Sequence, residues 1–212
     1  MINELTNDTC LVIGNGPSLK DIPLDFLKRW PSFGSNKIFM LDWFIPTYYA
    51  CINPLVCEQN VDAINAMDCA VKYIRWEFHD KIDRSYPLYS SPSPSFSRDP
   101  LKYIYEGFTV TYVLLQLAFW MGFERVGLVG VDHRYTFTGM PNQLAVSGGV
   151  DTNHFHPDYF GEGVRWHNPD LKRSEQAYRM ARTVFDKAGR QVVNLTPGSE
   201  LDVFERKDWQ EW

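Results

Sequence analysis

Four of the chain's five histidines, His133, His154, His156 and His167, fall between positions 132 and 168. Imidazole titrates near neutrality, so these are the first candidates for acid/base work. His154 and His156 are two residues apart, which on an extended segment sends both rings to one side. With Asp132 and His133 they could form a metal set. No C-x-x-C or H-E-x-x-H pattern accompanies them, and the favoured reading is no metal but a histidine pair that pins a loop or touches substrate. His167 stands just before a helix start, whose positive end disfavours the imidazolium and keeps the ring able to accept a proton. Arg134 and Tyr135 follow Asp132-His133 directly. Either can hold a leaving phosphate, the guanidinium by charge-assisted bonds and the phenol by donation.

The second chemical feature is the run Gly14-Asn15-Gly16-Pro17-Ser18. Glycines at 14 and 16 allow a tight bend and close approach to a ligand. Pro17 suits the first position of a following helical turn. The expectation is that free N–H groups there attract an anion, with Asn15 bonding a phosphate or ribose. A dinucleotide fingerprint would need glycine at 19, where Leu19 stands, and no lysine is placed as in a P-loop. A tight turn without a ligand is the alternative. Asp132 is read either as a cap of the next turn or as a polar group at the pocket mouth. Thr109 opens a helix either as its N-cap or, with Thr111, as a nucleotide contact.

These residues need a scaffold that gathers them. The apolar run Cys10–Ile13 reads as a first strand. A short helix begins near Pro23, and strands follow at Asn36–Leu41, Pro46–Ile52 and Ala70–Ile74, with helical character over Leu55–Met67. Positions 77–100 read as irregular. Thr109–Met121 is a helix apolar on nearly every side, and Arg125–Val131 is an unbroken apolar strand suited to the centre of a parallel sheet. Positions 132–168 form a long aromatic-rich loop, an active-site loop or lid. A helix follows, with Asn168 as N-cap and Pro169 at its first position, then a strand at Gln191–Leu195. Alternating strands and helices predict one α/β, Rossmann-like domain over 1–212, its mostly parallel sheet covered by helices on both faces. Ligands bind beyond the carboxyl ends of such strands, where Asn15, Asn53, Asp132 and Thr196 stand.

Composition narrows the function classes. Of the 212 residues 44% are apolar and 15% aromatic, which excludes global disorder. A net charge of −5 argues against a broad nucleic-acid surface. Cys10, Cys51, Cys57 and Cys69 form no C-x-x-C pair and read as reduced, buried thiols of a cytoplasmic protein. Met1–Asp8 shows neither a basic nor an apolar leader region, and no apolar run approaches the roughly 20 residues of a membrane helix. A homo-oligomer is compatible with all of this.

Three blocks carry a resemblance. Ile13-Gly14-Asn15-Gly16-Pro17-Ser18-Leu19-Lys20, the helix and strand ending Gly127-Leu128-Val129-Gly130-Val131-Asp132, and the tail from His167 to Ser199 together resemble the bacterial lipooligosaccharide sialyltransferases that use CMP-sialic acid. The opening turn and the Gly-Val-Asp strand end are also similar to a wider group sharing the domain of archaeal 6-hydroxymethyl-dihydropterin diphosphokinases, and His154–Phe160 looks more like its bacterial members. The first resemblance implies a CMP-activated sugar as donor, a glycan acceptor in cell-surface glycan synthesis, and no required metal. It implies that Asn15 and Gly16 contact the phosphate side of the nucleotide, that Asn36 and Asn53 contact nucleotide or sugar, and that His167 is the base. Val110 replaces that family's serine beside Thr111, and Arg134 stands where its phosphate-binding tyrosine would be, with Tyr135 one position later. The second resemblance implies ATP and Mg²⁺, with Asp132 near the metal. A non-catalytic nucleotide-binding protein is the third reading.

Overall fold

The computed structural model describes residues 8–212; the reading of Met1–Asp8 lies almost wholly outside them. In chain order the strands and helices are β1 (Thr9–Ile13), α1 (Leu24–Leu27), β2 (Ser32–Ser35), β3 (Tyr48–Cys51), α2 (Pro54–Gln59), α3 (Val61–Ala66), β4 (Val71–Arg75), β5 (Ser85–Leu88), β6 (Ser90–Ser91), β7 (Ile104–Tyr105), α4 (Val110–Trp120), β8 (Arg125–Val129), β9 (Leu144–Val146), β10 (Arg165–His167), α5 (Leu171–Lys187), β11 (Gln191–Asn194) and β12 (Glu205–Arg206). Eight strands form one sheet in the order β12-β11-β8-β1-β2-β3-β4-β5. Every neighbouring pair in it is parallel. This is the predicted Rossmann-like α/β fold.

The chain starts at β1, moves outward through β5, then returns to lay β8 on β1's other side. The order therefore reverses between β1 and β8, and a crevice opens beyond their carboxyl ends. Alternation along β1 sorts the two cores: Cys10 and Val12 pack with α4 and α5, while Leu11 and Ile13 pack with α1 to α3. Thr111–Phe119 of α4 is buried throughout, as its all-round apolar character predicts. The four cysteines are free and buried.

Several boundaries differ from the sequence reading. The segment 36–41 is not a strand: β2 ends at Ser35, and Ile38–Met40 is one 3-10 turn. The cause is Asn36, whose left-handed backbone (φ 49°) stops the strand. Leu55–Met67 is two helices, broken at Asn60 with φ −137°. The helix near Pro23 lasts only Leu24–Leu27. The stretch read as irregular contains β5, which tolerates Pro87 because it is an edge strand paired only with β4. Gly130 ends β8 two residues early by turning left-handed (φ 66°). The long loop carries an antiparallel hairpin, β9 on β10. The N-cap of α5 is Asp170, whose carboxylate accepts the Arg173 N–H at 3.1 Å, and not Asn168.

Candidate active site

The turn after β1 is built against the end of β8. Gly14 N–H donates to Val129 O and Gly16 N–H to Gly130 O, both at 2.8 Å. A Cβ on Gly14 would lie 2.4 Å from Gly130 O, and one on Gly16 would lie 1.9 Å from Asp132 Oδ2. The glycines are thus required by the neighbouring turn as well as by any ligand. Asp132 accepts from Ser18 N at 3.2 Å and from Ser18 Oγ at 2.7 Å, while Leu19 N donates to Gly16 O. This corrects the expectation of free N–H groups awaiting an anion. The protein's own carboxylate fills that position, and burial pushes it above the usual carboxylate range against the opposing pull of Ser18. Pro17 and Ser18 build the turn and line neither cavity. Thr196 is likewise structural: its hydroxyl accepts from Val131 N at 3.1 Å.

Two adjoining cavities open over this point, of about 90 and 460 Å³. They share Gly14, Asn15, Thr109, Thr111 and Tyr135. The smaller adds Gly16, Asp132, His133 and Arg134. The larger adds Asn36, Asn53, His154, His167 and Asn168. Most sequence-predicted site residues are therefore brought to one place. His156 is not: its Nδ1 accepts from Asp158 N at 3.1 Å, and it lines neither cavity. The expectation that His154 and His156 face the same way fails because the segment is a series of bends and turns, not an extended strand. Five described non-glycine residues have left-handed backbone, and four of them (Asn36, Phe108, His133 and Asn142) line these cavities. Strain of this kind collects where a chain must present side chains to a ligand.

The amides show what the larger cavity offers. Asn15 Nδ2 donates to Ser35 O at 3.1 Å, which leaves Oδ1 buried and without a partner among the described residues. Asn168 Nδ2 donates to Thr138 O at 2.7 Å and to Met140 O at 3.1 Å, and its Oδ1 is orphaned in the same way. Both free atoms are acceptors. Asn15 is therefore fitted to a hydroxyl or amino group, not to a phosphate oxygen. Asn53 Oδ1 caps α2 by accepting from Leu55 N and Val56 N, so only its amide nitrogen remains to offer. Asn36 reaches the cleft because it follows β2 and does not open a strand.

Donors lie toward the smaller cavity. Arg134 is exposed, with no ion pair among the described residues. The Tyr135 phenol has no hydrogen-bond partner there, and burial holds it neutral. His133 Nε2 lies 3.2 Å from Glu175 Oε1. The Thr109 hydroxyl does not cap α4 but lies 3.3 Å from Tyr178 Oη. His167 sits on β10, exposed and with no side-chain bond among the described residues. The sequence reading passed over Arg75 and Glu106, which pair at 3.3 Å in the wall of the larger cavity. It also passed over Asp151, 2.8 Å from His154, although the Asp-x-x-His spacing was there to be read.

The comparisons with known proteins agree with the architecture. No family model matches this chain, and no curated protein matches it significantly. Three solved structures share its fold. The first is the MAf glycosyltransferase from Magnetospirillum magneticum AMB-1, with TM-score 0.63 and 15% identity, covering 97% of this chain and 34% of that one. The second is the monofunctional α-2,3-sialyltransferase Cst-I from Campylobacter jejuni, with TM-score 0.54 and 14% identity, covering 96% and 82%. The third is the sialyltransferase CST-II, solved with a trisaccharide acceptor and CMP, with TM-score 0.52 and 13% identity, covering 93% and 85%. This chain thus has the fold found in glycosyltransferases that include sialyltransferases, and it spans about a third of the length of the first. Among the described residues no helix is long and apolar enough to cross a membrane.

Proposed function

We propose that this chain is a glycosyltransferase that takes a nucleotide-activated sugar, a CMP-sugar in the favoured form, and transfers the sugar to a hydroxyl of a glycan acceptor. The setting is cytoplasmic synthesis of a cell-surface glycan, and no metal is required. The observation that carries the reading is the pair of orphaned acceptor oxygens, Asn15 Oδ1 and Asn168 Oδ1, in one cleft at the switch point of the sheet. A buried acceptor left unsatisfied is costly, so each is completed by an O–H or N–H, from ordered water in the free cleft or from a ligand that replaces it. Ribose and sugar hydroxyls, or an exocyclic amine, supply such groups. The phosphate belongs beside Arg134 and Tyr135, where the free donors are. The proton released by the acceptor hydroxyl goes to a histidine of the loop, a role that the resemblance assigns to His167.

The ATP and Mg²⁺ alternative asks Asp132 to stand near a metal. Its two oxygens accept from Ser18, and among the described residues no group of His, Cys, Asp or Glu is gathered to hold a metal, which supports the metal-free reading. The test is a thermal-shift panel of CMP, CDP, CTP, ATP and GTP, each with and without Mg²⁺, since a ligand that binds only the native state stabilises it by an amount that grows with the logarithm of its concentration over Kd. CMP raises Tm without metal. A shift seen only with ATP plus Mg²⁺ overturns the reading, and nucleotide binding with no turnover of any CMP-sugar supports a binding protein in its place.

A further inference from the structure

The loop between β8 and α5 holds a carboxylate–imidazole pair that the resemblance does not assign. His154 Nδ1 lies 2.8 Å from Asp151 Oδ2, with the side chains only 8% and 3% exposed. Asp151 also accepts from Asn153 N at 2.7 Å and from Phe160 N at 3.2 Å. Burial alone would raise this carboxyl, but the His154 bond and charge and the two backbone N–H groups together hold it below the usual range. An ionised carboxylate at Nδ1 fixes the tautomer with the proton on Nδ1 and the lone pair on Nε2.

The ring is also clamped in place. It stacks on Tyr159 with centroids 3.9 Å apart and planes 3° from parallel. The edges of Phe160 and Tyr135 close two further sides, at 4.9 and 5.8 Å. Tyr159 is itself held by Lys37, whose ammonium donates to its carbonyl at 2.6 Å. Pinning the loop uses Nδ1 alone. Here Nε2 has no partner among the described residues, is not sealed from solvent, and belongs to a side chain that lines the larger cavity. His167 lines the same cavity with no side-chain hydrogen bond among the described residues to orient it.

From this geometry we infer that His154 is the proton acceptor of the cleft, with Asp151 as its positioning residue. The inference rests on the transferase reading for the identity of the electrophile. The acceptor's O–H bond gives its proton to His154 Nε2. The oxygen's electron pair forms the bond to the anomeric carbon, and the bond from that carbon to the nucleotide phosphate oxygen breaks. The nucleoside monophosphate leaves with that electron pair, and the imidazolium formed is paired with Asp151.

The experiment has two arms on the full chain. With CMP-N-acetylneuraminic acid and a panel of galactosides, CMP release should fall more than about 100-fold in His154→Gln, the scale of a lost general base, while CMP affinity stays within about twofold. His167→Gln should slow CMP release at least about tenfold less than His154→Gln does. The reverse ranking overturns the inference. In the second arm, ¹⁵N-histidine NMR near pH 8 reads the tautomer directly, with the signal assigned by its absence in His154→Gln. A bare Nε2 and protonated Nδ1 are expected, and Asp151→Asn should shift the proton to Nε2 and slow turnover. A proton on Nε2 in the wild type overturns the inference whatever the activity. A wild type inactive with this donor counts against the transferase reading and leaves the spectrum to decide the state of His154. A variant that melts early is replaced by His154→Asn under the same two readouts.

Discussion

Asp132 and Asp151 are two buried carboxylates beside one cleft, and their surroundings move them in opposite directions. Asp132 is buried against a turn, and that burial outweighs the Ser18 N–H and hydroxyl, the Arg134 charge and its own backbone N–H, so it is pushed up. Asp151 collects an imidazole and two backbone N–H groups and is held down. The difference lies in the kind of donor, an imidazole at Asp151 and a hydroxyl at Asp132, since burial opposes the charge in both. One carboxylate is used to lock the floor of the site. The other is used to set the state of a side chain that faces the ligand. The Asp132–Ser18 part of the floor is therefore closed chemistry, whereas Asn15 Oδ1 beside it and Asn168 Oδ1, His154 Nε2 and the Tyr135 phenol on the wall have no partner among the described residues.

The largest effects should come from the floor. Gly16→Ala forces a methyl onto the Asp132 carboxylate and the Gly130 carbonyl, and a loss of about 3 kcal/mol in urea unfolding is expected, with Gly14→Ala close behind. Asp132→Ala strands the buried Ser18 N–H and hydroxyl and should cost about 2 kcal/mol, whereas Asp132→Asn keeps an acceptor and should cost less than about 1 kcal/mol. If Gly16→Ala is neutral, the floor is not locked as described.

The two carboxylates should also differ in acid. A raised folded pKa means the folded state binds the proton more readily. Ionised Asp132 therefore costs stability, and that cost is relieved as pH falls from its raised value toward the ordinary carboxylate range near 3.9. The lowered pKa of Asp151 gives stability that is fully present above that range and lost as pH falls through its folded value. Urea titrations from pH 7 to pH 3 should show Asp151→Asn losing less stability on acidification than the wild type, and Asp132→Asn losing more. Identical pH slopes for the two variants would remove the contrast.

The smallest effects belong to the open valences. Asn168→Ala removes an orphan acceptor along with two bonds to loop carbonyls. It should weaken the donor sugar more than free CMP, a difference of about threefold to tenfold by calorimetry. Equal losses for the two ligands would place Asn168 in the loop's framework alone.

What the sequence disclosed follows from which interactions are local. The β1 turn and β8 could be read because apolar runs ending in glycine have one common use in a parallel sheet. Asn15 and Asn53 are legible because strand ends converge on one edge, and His167 because an imidazole ahead of a helix start is a candidate base. Asn36 was found with its position reversed: its left-handed backbone ends β2, where an apolar Ile38–Leu41 run had suggested a strand beginning. β5 was hidden because Ser85-Tyr86-Pro87 lacks the apolar signature of an interior strand, and an edge strand does not need one. The occupation of the Ser18 N–H by Asp132 spans 114 positions and leaves no local trace. The opposite fates of His154 and His156 turn on bends that no period-two rule describes.

The central claim is that the cleft over Gly14 and Asn15 holds a nucleotide by its hydroxyls and amino groups without a metal. The direct measurement is calorimetric titration of CMP in EDTA into the wild type and into Asn15→Ala. Binding to the wild type is expected, with an affinity about tenfold lower in the variant, about 1.4 kcal/mol, because a ligand O–H or N–H has lost its acceptor. No binding of CMP in EDTA, or equal affinity in the two proteins, would contradict it.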